Sequence, residues 1–353
     1  MYKGETMKLL ILGGTGVISR AIVRQALNRG FEVTTVNRGT RNLDMPRDVR
    51  TVVADRFNQQ EFAEKLKQEQ PDAVIDMICF TPDDARQTMS IFRNKAKHII
   101  FTSSVAAYER PYKSLPTRED AETLSQQSEF YYSIQKANME RYLQGEMGKS
   151  ATAVTIIRPS LTFGPGARNF GILRQNYNVV QRIKSGRPLV MVGETMLPWT
   201  FTDVEDLANG FVLACGNVNT FNDHFQVLNN EVVVWEDLYR TLGEVLGKDV
   251  ILNYIPSVLL KDVDEKLTGH LYYEKVYCSV FSIDKFQKAV PEYVPAYSYK
   301  DCITRLVASW EEEGLAVDPE KDALEDGLCA AYDAFRKQLV GLKRDMPYAF
   351  AFK

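Results

Sequence analysis

Tyr132 and Lys136, four residues apart, and the serine at Ser104 are the side chains of this chain whose types suit proton transfer at an oxygen. A tyrosine with an unperturbed pKa of about 10 is a poor base at neutral pH. A lysine one helical turn further on lies on the same face, where its charge favours the phenolate and lowers that pKa. Ser104 can hold a hydrogen bond at the same oxygen. The chemistry this set serves is the proton transfer that accompanies a hydride moving to or from a carbinol carbon. The spacing alone is weak evidence, because a chain with 17 tyrosines is expected to show roughly one Tyr-x-x-x-Lys by chance. Taken singly, Tyr132 reads as a core or interface aromatic, Lys136 as a solvated helix face and Ser104 as a strand-end hydroxyl bonded to nearby backbone. Their placement in the chain has to decide.

That placement begins at the N-terminus. Met7 to Leu12 is an apolar run of strand length that breaks into Gly13-Gly14-Thr15-Gly16-Val17-Ile18-Ser19. Val17 to Asn28 then carries Ile18, Ala21, Ile22 and Ala26 at helical spacing and is closed by Gly30, before a second strand, Phe31 to Val36. Strand, Gly-rich turn, helix and strand form the opening unit of a dinucleotide-binding fold. Glycines are needed there because the chain must bend tightly and bring backbone N–H groups close to a pyrophosphate at the positive end of the helix. Ser19 takes the place of the third glycine of the common fingerprint, where a small residue still allows close packing. A Gly-rich turn without ligand is the bland alternative, which the position after the first strand argues against.

The first half continues to alternate. Val49 to Ala54, Ala73 to Cys79, His98 to Thr102 and Ala153 to Ile157 read as further strands, with helices over Phe57 to Gln68, from Thr81-Pro82-Asp83-Asp84 onward, and over Glu129 to Gln144. The order predicts an α/β fold with a doubly wound parallel sheet whose ligands sit beyond the carboxyl ends of the strands. The Gly turn, Cys79, Ser104 and Arg158-Pro159 all fall at those ends. Ser160 to Gly166 reads as a crossing into a smaller, discontinuous substrate lobe. Thr202-Asp203-Val204-Glu205 is a capping box, and Phe225 to Leu228 is a strand by which the chain returns to the sheet. The expected division is a dinucleotide-binding domain over 1–162 plus about 200–230, a substrate lobe over 163–199 plus about 231–320, and a helical extension over 321–353. Leu238 to Leu246, Tyr299 to Glu313 and Asp322 to Lys343 read as helices of these later parts.

Composition narrows the function classes. The chain has 353 residues, 45% of them hydrophobic, and a formal net charge of -3, which offers no polyanion-binding surface and argues against nucleic acid. No apolar run approaches the roughly 18 residues of a membrane span, and the start lacks a signal-peptide layout, so the expectation is a soluble cytoplasmic protein without a membrane partner. The 5 cysteines are scattered without a C-x-x-C pair and the 3 histidines do not cluster, so no metal site is expected.

Four ordered features, Gly13-Gly14-Thr15-Gly16, Thr102-Ser103-Ser104, Tyr132 with Lys136, and Arg158-Pro159 through Gly164-Pro165-Gly166, make the chain resemble the extended, atypical short-chain dehydrogenase/reductases, the NAD-dependent epimerase/dehydratase family, over nearly its whole length. The resemblance implies that Tyr132 is the catalytic acid/base, Lys136 its partner and ribose ligand, and Ser104 the hydroxyl at the reacting oxygen. Ser104 is preferred to Ser103 because Ser104 to Tyr108 matches the family's Ser-x-x-x-Tyr. The implied cofactor-lining set is Gly13, Thr15, Gly16, Val17, Ile18, Asn37, Arg38, Asp55, Arg56, Met77, Cys79, Thr102, Lys136 and Pro159. Asp55 resembles the family's adenine-contacting aspartate, with a helix cap as rival. The second strand ends in Asn37-Arg38-Gly39 without a carboxylate, with Arg41 and Arg20 nearby, which favours NADP over NAD.

Two departures limit the carry-over. Val105-Ala106-Ala107 replaces the Asp-Glu pair of the family's dehydratases, so dehydration is disfavoured. Met77-Ile78-Cys79-Phe80 replaces the usual Asn-x-Ala-Gly, and Cys79 reads as a buried thiol rather than a catalytic one. The expectation is an NAD(P)-dependent dehydrogenase or epimerase at a secondary alcohol or ketone of a small molecule, a sugar or nucleotide-sugar. Arg168, Asn169, Arg182 and Arg187 are candidates for an anionic group, and Trp199 for the pocket wall or the seam between lobes. The alternative is a non-catalytic NAD(P)-binding sensor or RNA-binding protein of the same fold. A homodimer is a further expectation from the family.

Overall fold

The computed structural model describes residues 6–40 and 45–342. Seven strands form one parallel sheet, β1 (Lys8–Leu12), β2 (Glu32–Asn37), β3 (Arg50–Val53), β4 (Ala73–Asp76), β5 (His98–Thr102), β6 (Ala153–Arg158) and, much later in the chain, β11 (Asp223–Gln226), in the order 3-2-1-4-5-6-11. The central strands read as continuous apolar runs because helices cover both faces; every residue of β4, β5 and β6 is buried. Helices α1 (Val17–Asn28) and, later, α6 (Val204–Ala214) and α10 (Asp284–Ala289) pack on one face over a core that includes Ile11, Ile22, Phe211 and Phe286. Helices α2 (Gln59–Leu66), α3 (Pro82–Phe92) and α4 (Tyr131–Glu146) cover the other over Leu12, Phe62, Phe92 and Leu143. The architecture is the doubly wound α/β fold expected.

Boundaries differ where local hydrogen bonding decides them. The fourth strand ends at Asp76 rather than Cys79, because the Asp76 carboxylate accepts the Ile78 N–H at 3.0 Å and turns the chain out of the ladder. Helix α3 starts as read, with a complete capping box between Thr81 and Asp84. Helix α6 is capped by Asp203, not Thr202; its carboxylate accepts the N–H groups of Glu205 and Asp206. Asn58 caps α2 and leaves Asp55 out of that role.

The second layer of the molecule is built from β7 (Thr162–Phe163), α5 (Asn178–Lys184), β8 (Leu189–Val192), β9 (Pro198–Thr200), β10 (Thr202–Asp203), β12 (Val232–Val234), α7 (Asp237–Leu246), β13 (Leu252–Ile255), α8 (Ser257–Val263), α9 (Glu265–His270), α11 (Tyr299–Glu312) and α12 (Pro319–Gly341). Its core is aromatic. Trp199 and Trp235 stack at 4.6 Å, with Phe163, Phe201 and Tyr299 around them. Trp199 is 2% exposed and therefore belongs to this core rather than to a pocket wall.

Helix α12 is fastened by buried charge. Arg182 pairs with Asp322 and Asp326 at 2.8 Å each, and Arg187 with the same two acids. Both arginines thus dock the C-terminal helix, and neither serves as an anion ligand or a hydrated surface cation. The fully buried Glu325 accepts hydrogen bonds from Gln175 and from the Val190 N–H, both at 2.9 Å, and lies 3.5 Å from the Arg182 guanidinium. Burial outweighs these partners and pushes its carboxyl up to about 7 from an ordinary 4.5. Between those two values the folded chain keeps a proton that the unfolded chain has lost, so stability falls as pH rises through that window. The stability difference between the wild-type protein and Glu325→Gln, followed by urea denaturation, is expected to move by about 3 kcal/mol in favour of the variant from about pH 4 to about pH 8.

Candidate active site

The Gly-rich turn after β1 is fixed sterically. Gly13 has φ +86°, and a Cβ there would meet the Ile78 side chain at 2.4 Å; one on Gly14 would meet Thr35 at 2.5 Å. The Ser19 hydroxyl donates to the Gly13 carbonyl at 2.7 Å and so closes the turn in place of a third glycine. Helix α1 begins at Gly16 with no side-chain cap and no acid in its first turn, leaving its first N–H groups and its positive end to a ligand. The turn opens on a cleft of about 830 Å³, whose wall includes Gly13, Thr15, Gly16, Val17, Ile18, Asn37, Arg38, Asp55, Arg56 and Met77, with Thr162, Arg168 and Asn169 on the far side. Glycine cradle, uncapped helix end and cleft fit a dinucleotide; when bound it supplies the hydride acceptor or donor.

Several expected cofactor-lining residues sit differently. The Cys79 thiol is fully buried, and desolvation raises it well above its ordinary value, so only its carbonyl serves the site. Pro159 is buried and gives its carbonyl to the Val105 N–H at 3.1 Å. Thr102 is 7% exposed and donates its hydroxyl to Met77 sulfur at 3.1 Å. Arg56 borders the cleft, yet its guanidinium is consumed by Asp76 at 2.9 Å and Thr88 at 2.7 Å. Asp55 remains on the cleft wall, one oxygen accepting the Phe57 N–H. At the end of β2 the Asn37 side-chain oxygen accepts the Gly39 N–H at 2.9 Å, and Arg38 is exposed without a partner among the described residues. Arg20 points instead toward Gly166, where a Cβ would come within 2.7 Å of its guanidinium, and Arg41 lies outside the described residues.

Beyond Phe80, where β4 and β5 end, stand Ser104, Tyr132 and Lys136. Lys136 is 2% exposed and donates to the Cys79 and Thr102 carbonyls, both at 2.7 Å. Its ammonium lies 4.7 Å from the Phe80 ring centre and 5.8 Å from that of Tyr132. Desolvation pulls its pKa down to about 8, against the nearby Cys79 and Asp76. Tyr132 is half-buried, and desolvation pushes its phenol up to about 12; the nearby Ser104 hydroxyl works the other way, and Glu274 adds to the rise. Burial dominates the shift of the phenol, and the Lys136 ammonium directs two of its protons to the Cys79 and Thr102 carbonyls. Ser104 also accepts the Ala106 N–H at 3.1 Å, which caps the 3₁₀ turn Val105–Ala107.

A buried network holds this group in place. Glu140, one turn beyond Lys136 on α4, accepts from Arg158 Nε at 2.9 and 3.0 Å and from the Ser103 hydroxyl, while Arg158 donates to Tyr108 at 2.8 Å. Tyr108 meets Gln226 of β11 at 3.0 Å. The ends of β5, β6 and β11 are therefore tied to the helix bearing Tyr132. Phe80 and Glu274 escaped the sequence reading. Phe80 stands in the segment already marked as a departure; Glu274 carries no local signal.

The family model described as the NAD dependent epimerase/dehydratase family matches residues 9–227. The chain is 22% identical over 246 residues to the 2′-dehydrokanamycin reductase of Streptomyces kanamyceticus, covering 69% of this chain and 68% of the relative. It is 23% identical over 270 residues to the chloroplast stem-loop binding protein of 41 kDa b of Arabidopsis thaliana, covering 71% and 66%. Among solved structures, the UDP-glucose 4-epimerase of Thermotoga maritima aligns with a TM-score of 0.72 at 17% identity, over 88% of this chain and all of that one. An epimerase of Methanothermobacter thermautotrophicus gives 0.72 at 16%, over 88% and 94%.

The Arg158–Glu140 pair permits a direct test of the scaffold. Glu140→Ala leaves a buried guanidinium uncompensated and is expected to cost about 3–5 kcal/mol in urea denaturation, whereas the double variant Glu140→Leu/Arg158→Met is expected to lose less than the single one.

Proposed function

The chain belongs to the NAD-dependent epimerase/dehydratase family, and from that premise we propose that it is an NADP-preferring oxidoreductase acting at a secondary alcohol or ketone of a small molecule, of the sugar or nucleotide-sugar class. The observation that carries this reading is the Lys136 ammonium 5.8 Å from the Tyr132 ring centre and bonded to the Cys79 and Thr102 carbonyls at the ligand edge of the sheet, where Ser104 also stands. Tyr132 exchanges the proton at the reacting oxygen, Ser104 holds that oxygen, and Lys136 keeps positive charge close by. Arg38, exposed and without a carboxylate beside it at the end of β2, supports the preference for a 2′-phosphate. Substrate class rests on what the similar proteins are named for, UDP-glucose among them. Similarity to a stem-loop binding protein supports a second, non-catalytic reading. A sensor or RNA binder has no need of a proton-transfer set, and the chain's net charge of -3 gives no sign of a polyanion-binding surface.

Tyr132→Phe is expected to lower turnover by about 10²–10⁴-fold while dinucleotide affinity stays within a few-fold, in an assay of NAD(P)H absorbance and epimer formation over a panel of sugars, nucleotide-sugars and ketones. Full activity in that variant excludes the assignment. NADP is expected to bind more tightly than NAD by titration calorimetry, and Arg38→Ala to weaken NADP by about tenfold with little effect on NAD. Equal affinities in the wild-type protein overturn the preference.

A further inference from the structure

The turn between β4 and α3, residues 77–81, rests on a buried ion pair. Arg56 and Asp76 meet at 2.9 Å, with side chains 4% and 0% exposed. Thr88 of α3 donates its hydroxyl to Asp76 at 2.6 Å and accepts from Arg56 at 2.7 Å. Gln87 closes the group, its amide oxygen accepting the Arg56 Nε–H at 3.1 Å and its amide nitrogen donating to the Arg56 carbonyl at 2.9 Å. Between them the two charges take both backbone groups of a single residue. The Asp76 carboxylate accepts the Ile78 N–H at 3.0 Å, and Arg56 donates to the Ile78 carbonyl.

Ile78 stands between two sites. Its side chain fills the space beside Gly13, where a Cβ would come within 2.4 Å of it, so the dinucleotide turn packs on Ile78 directly. The next residue, Cys79, gives its carbonyl to Lys136 at 2.7 Å, and Phe80 after it lays its ring 4.7 Å from the same ammonium. Arg56, Ile78 and Phe80 share the wall of one cleft.

We infer that Arg56 is a positioning residue of this cleft: paired with Asp76, it clamps the backbone of Ile78 and so holds the Cys79 carbonyl that receives Lys136 in register with the glycine turn that receives the dinucleotide. The inference rests on the reading of the cleft as a dinucleotide site and of Lys136 as part of the proton-transfer set. An arginine on the wall of such a cleft invites a reading as a phosphate ligand, but all five N–H donors of this guanidinium have acceptors inside the protein. Nε–H goes to Gln87, one Nη to Asp76 and Ile78, the other to Asp76 and Thr88. A buried ion pair stabilises a fold little better than apolar residues of the same volume. What the planar fork adds is geometry, because it fixes several acceptors at once.

Arg56→Met/Asp76→Asn tests this, since it leaves no buried unpaired charge and keeps an acceptor for the Ile78 N–H. Hydrogen exchange of residues 77–81, read by mass spectrometry, is expected to quicken by about tenfold, with exchange of the second layer unchanged. Reductive methylation of Lys136, scored against Lys275 in the same sample, is expected to quicken as well, and NADP affinity by titration calorimetry to fall about three- to tenfold. With a substrate from the panel, kcat is expected to fall by about tenfold while KM stays within a few-fold. A stabilising role alone would lower the denaturation midpoint and leave these readouts at their wild-type values, and that result in a natively folded variant overturns the inference. Should the double variant not fold, Arg56→Lys keeps the charge but cannot place a nitrogen at both Nη positions. The same shifts are expected there, and wild-type values overturn the inference equally. Faster exchange, faster Lys136 labelling and weaker NADP binding, with no turnover of any substrate by the wild-type protein, uphold the clamp and reject the enzymatic reading. Tyr132-dependent turnover with Lys136 labelling and kcat unchanged in the variant does the reverse.

Discussion

An ammonium buried away from water has to be satisfied by the protein, and in this fold Lys136 is satisfied by the carbonyls at the ends of two strands. Cys79 and Thr102 each accept one of its protons, so the helix bearing Tyr132 is pinned to the carboxyl edge where β4 and β5 stop. The loss of either bond strands a charge at a site with 2% exposure, a cost of several kcal/mol in an environment of low dielectric. The shape of the chain from residue 76 to 80 follows from the same constraint. Asp76 ends β4 early by taking the Ile78 N–H, and the freed backbone turns the Cys79 carbonyl toward α4.

One helical turn beyond Lys136, Glu140 repeats the arrangement with the opposite charge. It gathers Ser103 and Arg158, and Arg158 in turn orders Tyr108. Lysine and glutamate at i and i+4 thus bind α4 to three strand ends, and Tyr132, one turn before Lys136, inherits its position from both. The hydroxyl and the ammonium respond to burial in opposite directions on the pH scale for the same reason. Each moves toward its neutral form, the phenol up to about 12 and the lysine down to about 8.

What the sequence made legible was local. The Gly turn, the capped start of α3, the spacing of Tyr132 and Lys136 and the buried strands are written in periodicities and propensities that act over a few residues. What it concealed was decided by partners far along the chain. Arg182 and Arg187 look like free cations until Asp322 and Asp326, on a helix well over a hundred residues later, arrive to take them. Cys79 reads as a buried thiol and is one, but that its carbonyl takes the Lys136 ammonium depends on a helix more than fifty residues further on. Glu274 sits in no motif. The π-turn that carries it, Leu271–Lys275, brings Tyr273 onto Phe130 at the start of α4, and nothing within ten residues in the sequence announces that contact.

The same non-local assembly restricts the chemistry. The positions after Ser104 that could carry an acid pair are Val105, Ala106 and Ala107, all buried at 4% exposure or less and committed to a 3₁₀ turn against the core. A carboxylate introduced there would have to be desolvated, at a cost of several kcal/mol. Glu274 on the π-turn is paired with Lys275 at 3.0 Å. An acid so held is a poor proton carrier and a good fixed charge. The sheet edge thus gathers the Ser104 and Tyr132 hydroxyls and the buried Lys136 ammonium at one place, while the carboxylates near it are committed to ion pairs, Glu140 with Arg158 and Glu274 with Lys275.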